Sequence, residues 1–193
     1  TRMSERVKII LDKNADILRL PAIALRGLVV FPGNIIHFEV GRKKSIAAIE
    51  WAMSNNNAVF LTAQQDMDVE DPGFKDLYAY GVVAEVKQVL RVSDELVKVL
   101  VEGKYRAKLL TLDSSGRFLL ASTKAAALRG TKSVDSARVE ALVRSVKEAF
   151  EEYLSLNPRL SKDVVYTIIT NEDAALLCDY IPANLLLKYT DKQ

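Results

Sequence analysis

The feature that most constrains the fold of this chain is one change in the period of its apolar side chains. Between Leu20 and Thr123 apolar and polar residues mostly alternate, whereas after residue 135 the apolar residues recur at helical spacing. Alternation is typical of strands with one buried face, and the longer period is typical of amphipathic helices. The chain is therefore predicted to have an α+β fold, with a β-rich part followed by a helical part.

The alternating region is divided into short predicted strands by turn signals. The run "VVAEVKQVLRV" (82–92) is followed by "VSDE", and two further runs, 96–103 and 105–112, precede the turn "DSSG". Two earlier strands, "LPAIALR" and "IIHFEV", flank the stretch "LVVFPGN" (28–34). Strands at this spacing predict an antiparallel meander that is closed, or nearly closed, as a small barrel.

One helix and one long loop interrupt the predicted strands. Ile46, Ile49 and Met53 fall at helical spacing between Gly41 and Asn56, and they predict an inserted helix with an apolar stripe. The stretch "DMDVEDPGFKDLY" (66–78) is polar and contains Pro-Gly, so it is predicted to be a loop. Loops of this length are uncommon in compact domains and are often functional.

The helical part is predicted to be a bundle that begins with a long helix. The segment "DSARVEALVRSVKEAFEEYLS" has one apolar face over about five turns, and Asn157-Pro158 should end it. Ser161 and Asn171 are the predicted caps of two shorter helices, and Pro182 should end the last of these. The predicted division is therefore a β-rich subdomain over 1–126, a linker over 127–134 and a helical subdomain over 135–193.

Composition limits the compartment and the charged partners of the chain. Of its 193 residues 49% are apolar and 27% are charged, and the net charge of +2 does not by itself indicate nucleic acid. A single cysteine, Cys178, excludes a disulfide within the chain and favours a reducing compartment. No apolar run approaches the roughly 18 residues that span a bilayer, so we predict a cytoplasmic protein without a membrane partner.

The sequence contains no pattern that indicates catalysis. The stretch "GRKKS" (41–45) lacks the second glycine of a phosphate-binding loop, and the chain has no Gly-x-Ser-x-Gly motif. One cysteine and one histidine cannot supply a zinc cage. We therefore predict no catalytic, cofactor-binding or metal-binding residues. A hydrolase that uses Cys178 with His37 remains an open alternative, because each residue occurs once.

Basic residues on the predicted strands raise a second alternative, an RNA-binding module. Lys98, Lys104, Arg106 and Lys108 lie on adjacent runs, and small β barrels can bind RNA through basic grooves and stacked aromatics. Glu102 dilutes this cluster. A solvated sheet face is the preferred interpretation, so nucleic acid is not expected as a partner.

Three separated segments carry a family resemblance. The first is "LPAIALRGLVVFPGNIIHFEVGRKKSIAAIEWAM", the second "YGVVAEVKQVLRVSDELVKVLVEGKYRAKLL" and the third "LLCDYIPANLLLKYTDKQ". Together they resemble, in order, the N-terminal domain of bacterial Lon proteases of the LonA type. In the first segment the matching positions are Leu20, Pro21, Leu25, Arg26, Pro32, Gly33, Val40, Gly41, Arg42, Lys44 and Ser45. The chain departs from the family's pattern at Asp173-Ala174-Ala175 and at Pro182.

The resemblance implies a PUA-like β subdomain followed by a helical subdomain. It implies an isolated N-terminal domain that captures unfolded or damaged client proteins and helps a homohexamer of Lon protomers to assemble. The family's ATP and Mg, its P-loop ATPase module and its Ser–Lys protease dyad are expected in other parts of the parent enzyme. The fragment itself is therefore expected to be no enzyme and to need no cofactor.

The resemblance also gives "LVVFPGN" a proposed role. Damaged proteins share exposed apolar surface, and an apolar patch rimmed by polar residues is its physical complement. The residues predicted to contact clients are Leu28 and Phe31, together with Phe74 in the acidic loop. For Leu28 and Phe31 a place in the core remains the alternative.

Overall fold

The structure, a computed structural model, describes residues 17–126 and 135–193. Its strands are β1 (Leu18–Leu25), β2 (Ile35–Val40), β3 (Ala58–Ala63), β4 (Tyr80–Arg91), β5 (Val97–Asp113) and β6 (Leu119–Ala125). Its helices are α1 (Lys43–Asn55), α2 (Ser136–Leu156), α3 (Lys162–Thr170), α4 (Ala174–Asn184) and α5 (Tyr189–Lys192), with a short 3₁₀ turn over Phe74–Asp76. The predicted α+β class is confirmed, and the PUA-like label stays a prediction.

Five strands close into a ring, and β2 extends one side of it. The order around the ring is β5-β4-β3-β1-β6, and β6 pairs with β5 again. β1 and β3 run parallel, whereas the other pairs are antiparallel. β5 spans 17 residues, so its first part can pair with β2 and its last part with β6. The predicted small barrel is confirmed, with one parallel pair in place of a purely antiparallel meander.

The parallel pair is buried on both faces, unlike the half-buried strands that alternation predicts. All six residues of β3 are buried, and so are the last six of β1. One face packs against Ala48, Ile49 and Ala52 of α1, and the other belongs to a second core that contains Phe60. The predicted stripe of α1 was therefore wrong at Met53, which is 43% exposed. Small alanines face the sheet instead and let the helix approach closely.

β5 is one continuous strand where the runs 96–103 and 105–112 predicted two. A bulge makes this possible, because Gly103 pairs with Ala84 and Tyr105 pairs with Val83, which leaves Lys104 without an opposite residue. Buried and half-buried residues continue to alternate on both sides of the bulge. The strand therefore passes through the irregularity without ending.

The helical part has a small core of its own. Val143, Phe150, Ile168 and Leu177 are its buried residues within the described ranges. α2 ends at Leu156, just before Asn157-Pro158, as predicted. The hydroxyl of Ser161 accepts a hydrogen bond from the backbone N–H of Val164 at 3.3 Å, so the predicted cap of α3 is confirmed.

Two predicted helix ends were wrong. Asp173 caps α4 in place of Asn171, because its Oδ1 accepts hydrogen bonds from the N–H groups of Ala175 (2.9 Å) and Leu176 (3.2 Å). A carboxylate at this position satisfies free N–H groups and also complements the helix dipole. Pro182 lies inside α4, which continues to Asn184. In the last turn a proline removes only one backbone hydrogen bond, so the helix need not end there.

The described residues form two compact units. Residues 17–126 group with Leu187–Gln193, and residues 135–186 form the helical unit. The C-terminal segment is attached to the β-rich unit by hydrogen bonds from Tyr189 Oη to the carbonyl of Gln65 (3.0 Å) and from Gln193 Nε2 to the carbonyl of Tyr80 (2.9 Å). The predicted helical subdomain extended to 193, so these last residues group differently. The other boundaries stay a prediction, and the linker 127–134 lies outside the described residues.

Candidate functional site

The stretch "LVVFPGN" lies in loop A, which we define as residues 26–34 between β1 and β2. Pro32-Gly33 forms a tight turn that is closed by a hydrogen bond from the N–H of Asn34 to the carbonyl of Phe31 at 3.1 Å. Gly33 has a φ of 75°, which suits the third position of a type II turn. The turn is attached to β5, because Gly33 N donates to Gly103 O (2.8 Å) and Gly103 N donates to Asn34 O (2.9 Å).

Loop A places most of its apolar side chains in the core. Phe31 is 4% exposed, and its ring lies 5.9 Å from the guanidinium carbon of Arg106. Leu28 is half-buried and packs against the core that includes α1. Exposing the Phe31 ring to a partner would forfeit about 1.5–3 kcal/mol of burial. In this conformation Phe31 is therefore a core residue, and Leu28 offers only part of its surface.

The second candidate segment is loop B, which we define as residues 64–79 between β3 and β4. It contains the loop that the sequence predicted, and an antiparallel bridge between Gln64 and Leu77 joins its two ends. Phe74 begins the 3₁₀ turn and is 47% exposed, and Met67 is 45% exposed. Phe74 is therefore the predicted contact residue with the most accessible side chain, and Met67 is a comparable residue that sequence reasoning missed.

Hydrogen bonds to the carbonyl of Val69 hold loop B against loop A and the start of α1. Arg26 donates to this oxygen at 3.3 Å and Arg42 donates to it at 3.1 Å. Gln64 donates to it at 2.9 Å and also accepts a hydrogen bond from Arg42. Gln64 is fully buried, so this polar group is part of the structure rather than of the solvated surface. The sequence offered one signal for it, a glutamine directly after the apolar run of β3.

Lys104, the basic residue in the middle of β5, is balanced by carboxylates together with Lys87 of β4. Lys104 lies 2.7 Å from Glu102 and 3.0 Å from Glu85, and Lys87 lies 2.8 Å from each of the same two carboxylates. The four side chains form a neutral network on the outer face of β4 and β5. A phosphate backbone needs uncompensated positive charge, so this arrangement gives the RNA-binding alternative no support.

This network predicts a loss of stability in acid. Hydrogen bonds from Lys104 and Lys87 lower the pKa of Glu102. For Glu85, burial alone would raise the pKa. Hydrogen bonds from the same two lysines outweigh burial, so the pKa of Glu85 is also lowered. The folded chain then binds fewer protons than the unfolded chain. The stabilisation is therefore present above the usual carboxyl pKa of 4.5 and is lost as the pH falls through the lowered values.

We expect Glu102→Gln to lower the free energy of unfolding by about 1 kcal/mol at pH 7. The difference from the unmodified protein should shrink as the pH falls below 4.5 and through the lowered pKa of Glu102, because protonated Glu102 resembles glutamine. Urea unfolding, followed by the fluorescence of Trp51, the single tryptophan, measures this difference in the free energy of unfolding at each pH. Glu95→Gln is the matched control, since Glu95 is exposed and forms no ion pair within the described ranges. A difference that is constant between pH 3 and pH 7 would contradict the charge explanation.

The structure gives little support to a cysteine–histidine hydrolase, a metal site or a membrane-spanning helix. His37 and Cys178 are both exposed, so Cys178 does not occupy the apolar helix face on which its neighbour Leu177 is buried. Within residues 17–126 and 135–193, no three His, Cys, Asp or Glu side chains are grouped to hold a metal ion. Among the helices of those same ranges, none is both long and apolar enough to cross a membrane.

Comparisons with known sequences give one consistent family. The family described as "ATP-dependent protease La (LON) substrate-binding domain" matches residues 19–193. The Lon protease of Desulforamulus reducens is 38% identical over 180 residues, which cover 93% of this chain and 22% of that protein. The Lon protease of Escherichia coli K12 is 36% identical over 181 residues, which cover 94% of this chain and 23% of that protein. The chain thus spans less than a quarter of the length of these two relatives.

Solved structures show the same fold. The N-terminal domain of the Mycobacterium avium complex Lon protease superimposes with a TM-score of 0.64 and 16% identity, over 91% of this chain and 94% of that one. The Lon N-terminal domain protein from Xanthomonas campestris superimposes with a TM-score of 0.50 and 14% identity, over 81% of this chain and 92% of that one. At such low identity these two similarities support the architecture alone.

Proposed function

Because this chain belongs to the family of ATP-dependent protease La (LON) substrate-binding domains, we propose that it captures unfolded or damaged client proteins through exposed apolar side chains of loop B, with a contribution from Leu28. The observation that supports this most directly is the pair of half-exposed apolar residues in one loop, Met67 and Phe74. Acidic residues Asp66, Asp68 and Glu70 lie between and beside them and keep the loop soluble. Apolar side chains with a polar rim suit segments that folded proteins bury.

The free energies of apolar burial and of association indicate that a single domain binds a client weakly. Burying one large apolar side chain contributes about 1.5–3 kcal/mol, whereas association costs roughly 4–15 kcal/mol before any net affinity. A few half-exposed side chains on one domain therefore hold a client only briefly. We infer that useful affinity comes from several domains side by side in an oligomer, as the family resemblance implies, since linked weak sites reinforce one another.

Catalysis belongs, in this proposal, to parts of the Lon-type protein that this chain does not cover. ATP and Mg would serve an ATPase module there, and a Ser–Lys dyad would cleave the captured client. The proposed location of the whole enzyme is the cytoplasm. The domain described here would supply client recognition and contacts with other protomers, without a cofactor of its own.

The proposal predicts selective and salt-insensitive binding of unfolded chains. We expect a reduced, carboxymethylated client to bind the domain while the same client in its native form does not. The double substitution Met67→Ser and Phe74→Ser should weaken binding about tenfold, because roughly half of two apolar side chains is lost from the interface. Fluorescence anisotropy of a labelled client at low and high salt measures both effects.

A matched control separates loop B from general surface apolarity. Leu90 is 58% exposed at the far end of β4, outside loops A and B, so Leu90→Ser should leave client affinity unchanged. Equal affinity for native and unfolded client, or equal losses from Leu90→Ser and from the double substitution, would refute the proposed surface. Affinity that falls steeply with salt would favour an electrostatic partner instead.

A further inference from the structure

One cavity of the β-rich unit is not explained by client capture. It lies between the end of β1, β2 and the start of α1, and it has a volume of about 330 Å³. Small-molecule sites begin near roughly 300 Å³ and usually combine an apolar wall with a few polar groups. Here Leu28, Phe38 and Val40 contribute to the apolar wall. The polar lining residues are Arg42 and Ser45 at the start of α1, with Arg26 of loop A and Glu39 of β2.

Ser45 is the polar residue that points to a ligand. It lines this cavity and is only 5% exposed. In the part of the chain that the structure describes, its hydroxyl makes no hydrogen bond, and its oxygen is not sealed inside the protein. Buried hydroxyls almost always have a partner. The free hydroxyl therefore opens onto the cavity and can complete its hydrogen bonding with a bound molecule.

The start of α1 adds free N–H groups beside Ser45. α1 has 13 residues, its N-cap residue Arg42 provides no side-chain cap, and its first turn contains no acidic residue. The N–H groups of the first turn have no partner within a helix, and the helix dipole concentrates positive potential there. Among the first-turn residues Lys43, Lys44 and Ser45, it is Ser45 that lines the cavity, so an anion there would meet the Ser45 hydroxyl beside the positive end of the helix.

Two arginines line the cavity, Arg26 and Arg42, and the carboxylates of Asp71 and Glu70 lie near enough to Arg42 to act on it electrostatically without a close ion pair. Arg26 donates only to the carbonyl of Val69, and the acceptors of Arg42 are the carbonyls of Ala24 and Val69 and the amide oxygen of Gln64. Neither forms an ion pair within residues 17–126 and 135–193. Burial, followed by the charge of Arg26, lowers the pKa of Arg42.

Nearby charges limit how negative a ligand can be. Lys44, two residues after Arg42, is already paired with Asp71 at 3.0 Å. The exposed Glu39 also lines the cavity. The positive charge of the two arginines is therefore partly offset by Glu39 at the rim and by Asp71 and Glu70 near Arg42. This balance favours a ligand with one negative charge over a doubly charged phosphate.

We propose that this cavity binds a carboxylate that carries an adjacent apolar group. The carboxylate would accept a hydrogen bond from Ser45, beside the positive end of α1 and the arginines, and its apolar group would lie against Phe38 and Val40. A free N-acyl amino acid and the last residue of a peptide both have this chemistry. The inference does not depend on client capture by loop B, which uses Met67 and Phe74.

The test is an NMR titration of the 193-residue chain with N-acetyl-leucine. We expect saturable shifts of the backbone amides of Lys43, Lys44 and Ser45. Ser45→Ala should weaken binding about tenfold, because it removes a hydrogen bond to a charged group. Ser54→Ala is the matched control in the same helix, since its hydroxyl bonds the carbonyl of Glu50 at 3.0 Å, away from the cavity. It should bind as the unmodified chain does.

Further titrations distinguish a free acid from a peptide C-terminus as the natural ligand, and they include outcomes that would overturn the proposal. A leucine-terminated peptide that binds more tightly than N-acetyl-leucine would identify peptide ends as the source, and equal affinity would identify free acids. Absence of saturable shifts, equal binding of N-acetyl-leucine amide, or tighter binding of inorganic phosphate would each overturn the carboxylate assignment. Unchanged affinity in Ser45→Ala would remove Ser45 from the site. Retained binding in the double substitution Met67→Ser and Phe74→Ser would separate this site from client capture.

Discussion

Replacing Gly103 with alanine is expected to destabilise the β-rich unit by about 3 kcal/mol, at the upper end of what an added methyl group usually costs. A Cβ atom at this position would lie 2.2 Å from the carbonyl oxygen of Phe31 and 3.2 Å from Val82 Cγ1. The first obstacle is backbone, so no side-chain rotation can relieve it. Loop A cannot withdraw either, because two hydrogen bonds attach its turn to Gly103 itself.

Urea unfolding followed by Trp51 fluorescence measures this effect, because Trp51 lies in α1 and contacts Phe118 within the β-rich unit, with ring centroids 5.7 Å apart. Gly116→Ala is the matched control. The nearest atom to a Cβ at Gly116 is the carbonyl oxygen of Phe118 at 3.7 Å, an ordinary contact. Comparable stabilities of the two variants would show that loop A can move, and that Phe31 is more available than its burial indicates.

Phe150→Ala is expected to cost the helical unit about 3–5 kcal/mol, the usual range for removal of a buried phenylalanine. Phe150 is 4% exposed in a core with few other buried residues, and its ring stacks on Tyr153 with centroids 6.4 Å apart. A bundle this small has little stability in reserve. We therefore expect much of the helical circular dichroism to be lost at ambient temperature.

Leu142→Ala is the matched control for this prediction, because Leu142 lies on α2 and is 57% exposed. It should retain nearly the full helical signal. Trp51 fluorescence in the same samples reports whether the β-rich unit is still folded. It therefore shows whether a loss of helical signal is confined to the helical unit. A Phe150→Ala variant with unchanged helical content and unchanged thermal midpoint would contradict the assigned core.

The sequence predicted the strands and helices well where one physical signal dominated. Alternation placed β4, and helical periodicity placed α2 up to Asn157-Pro158. The resemblance to Lon N-terminal domains is confirmed by the family match over residues 19–193. Local signals failed where two chemistries competed, as at Asn171 and Asp173, which both suit a helix cap. The carboxylate occupies the cap, and the amide accepts the N–H group of Asp173 instead.

The candidate site was harder to predict because it depends on contacts between distant segments. An apolar run that enters a Pro-Gly turn is compatible with either core or surface, and the sequence does not show that Gly103 and Arg106 of β5 lie against Phe31. Similarly, Arg42 and Gln64 are unremarkable polar residues in the sequence, and their role appears once β3, α1 and loop B converge on Val69. Client binding by Leu28, Phe31 and Phe74 stays a prediction, with Phe74 the most accessible of the three.

Ring closure has a further consequence for a protein whose proposed partners are unfolded chains. Among the strands of the described ranges, those of the five-stranded ring have neighbours on both sides, and only β2 keeps an unpaired edge. β2 is six residues long and exposes His37 and Glu39. An extended client could therefore add itself as a new strand along this short edge only, which also exposes Ile35. Under the proposed function, the domain would bind unfolded chains while offering them only a short template for strand addition.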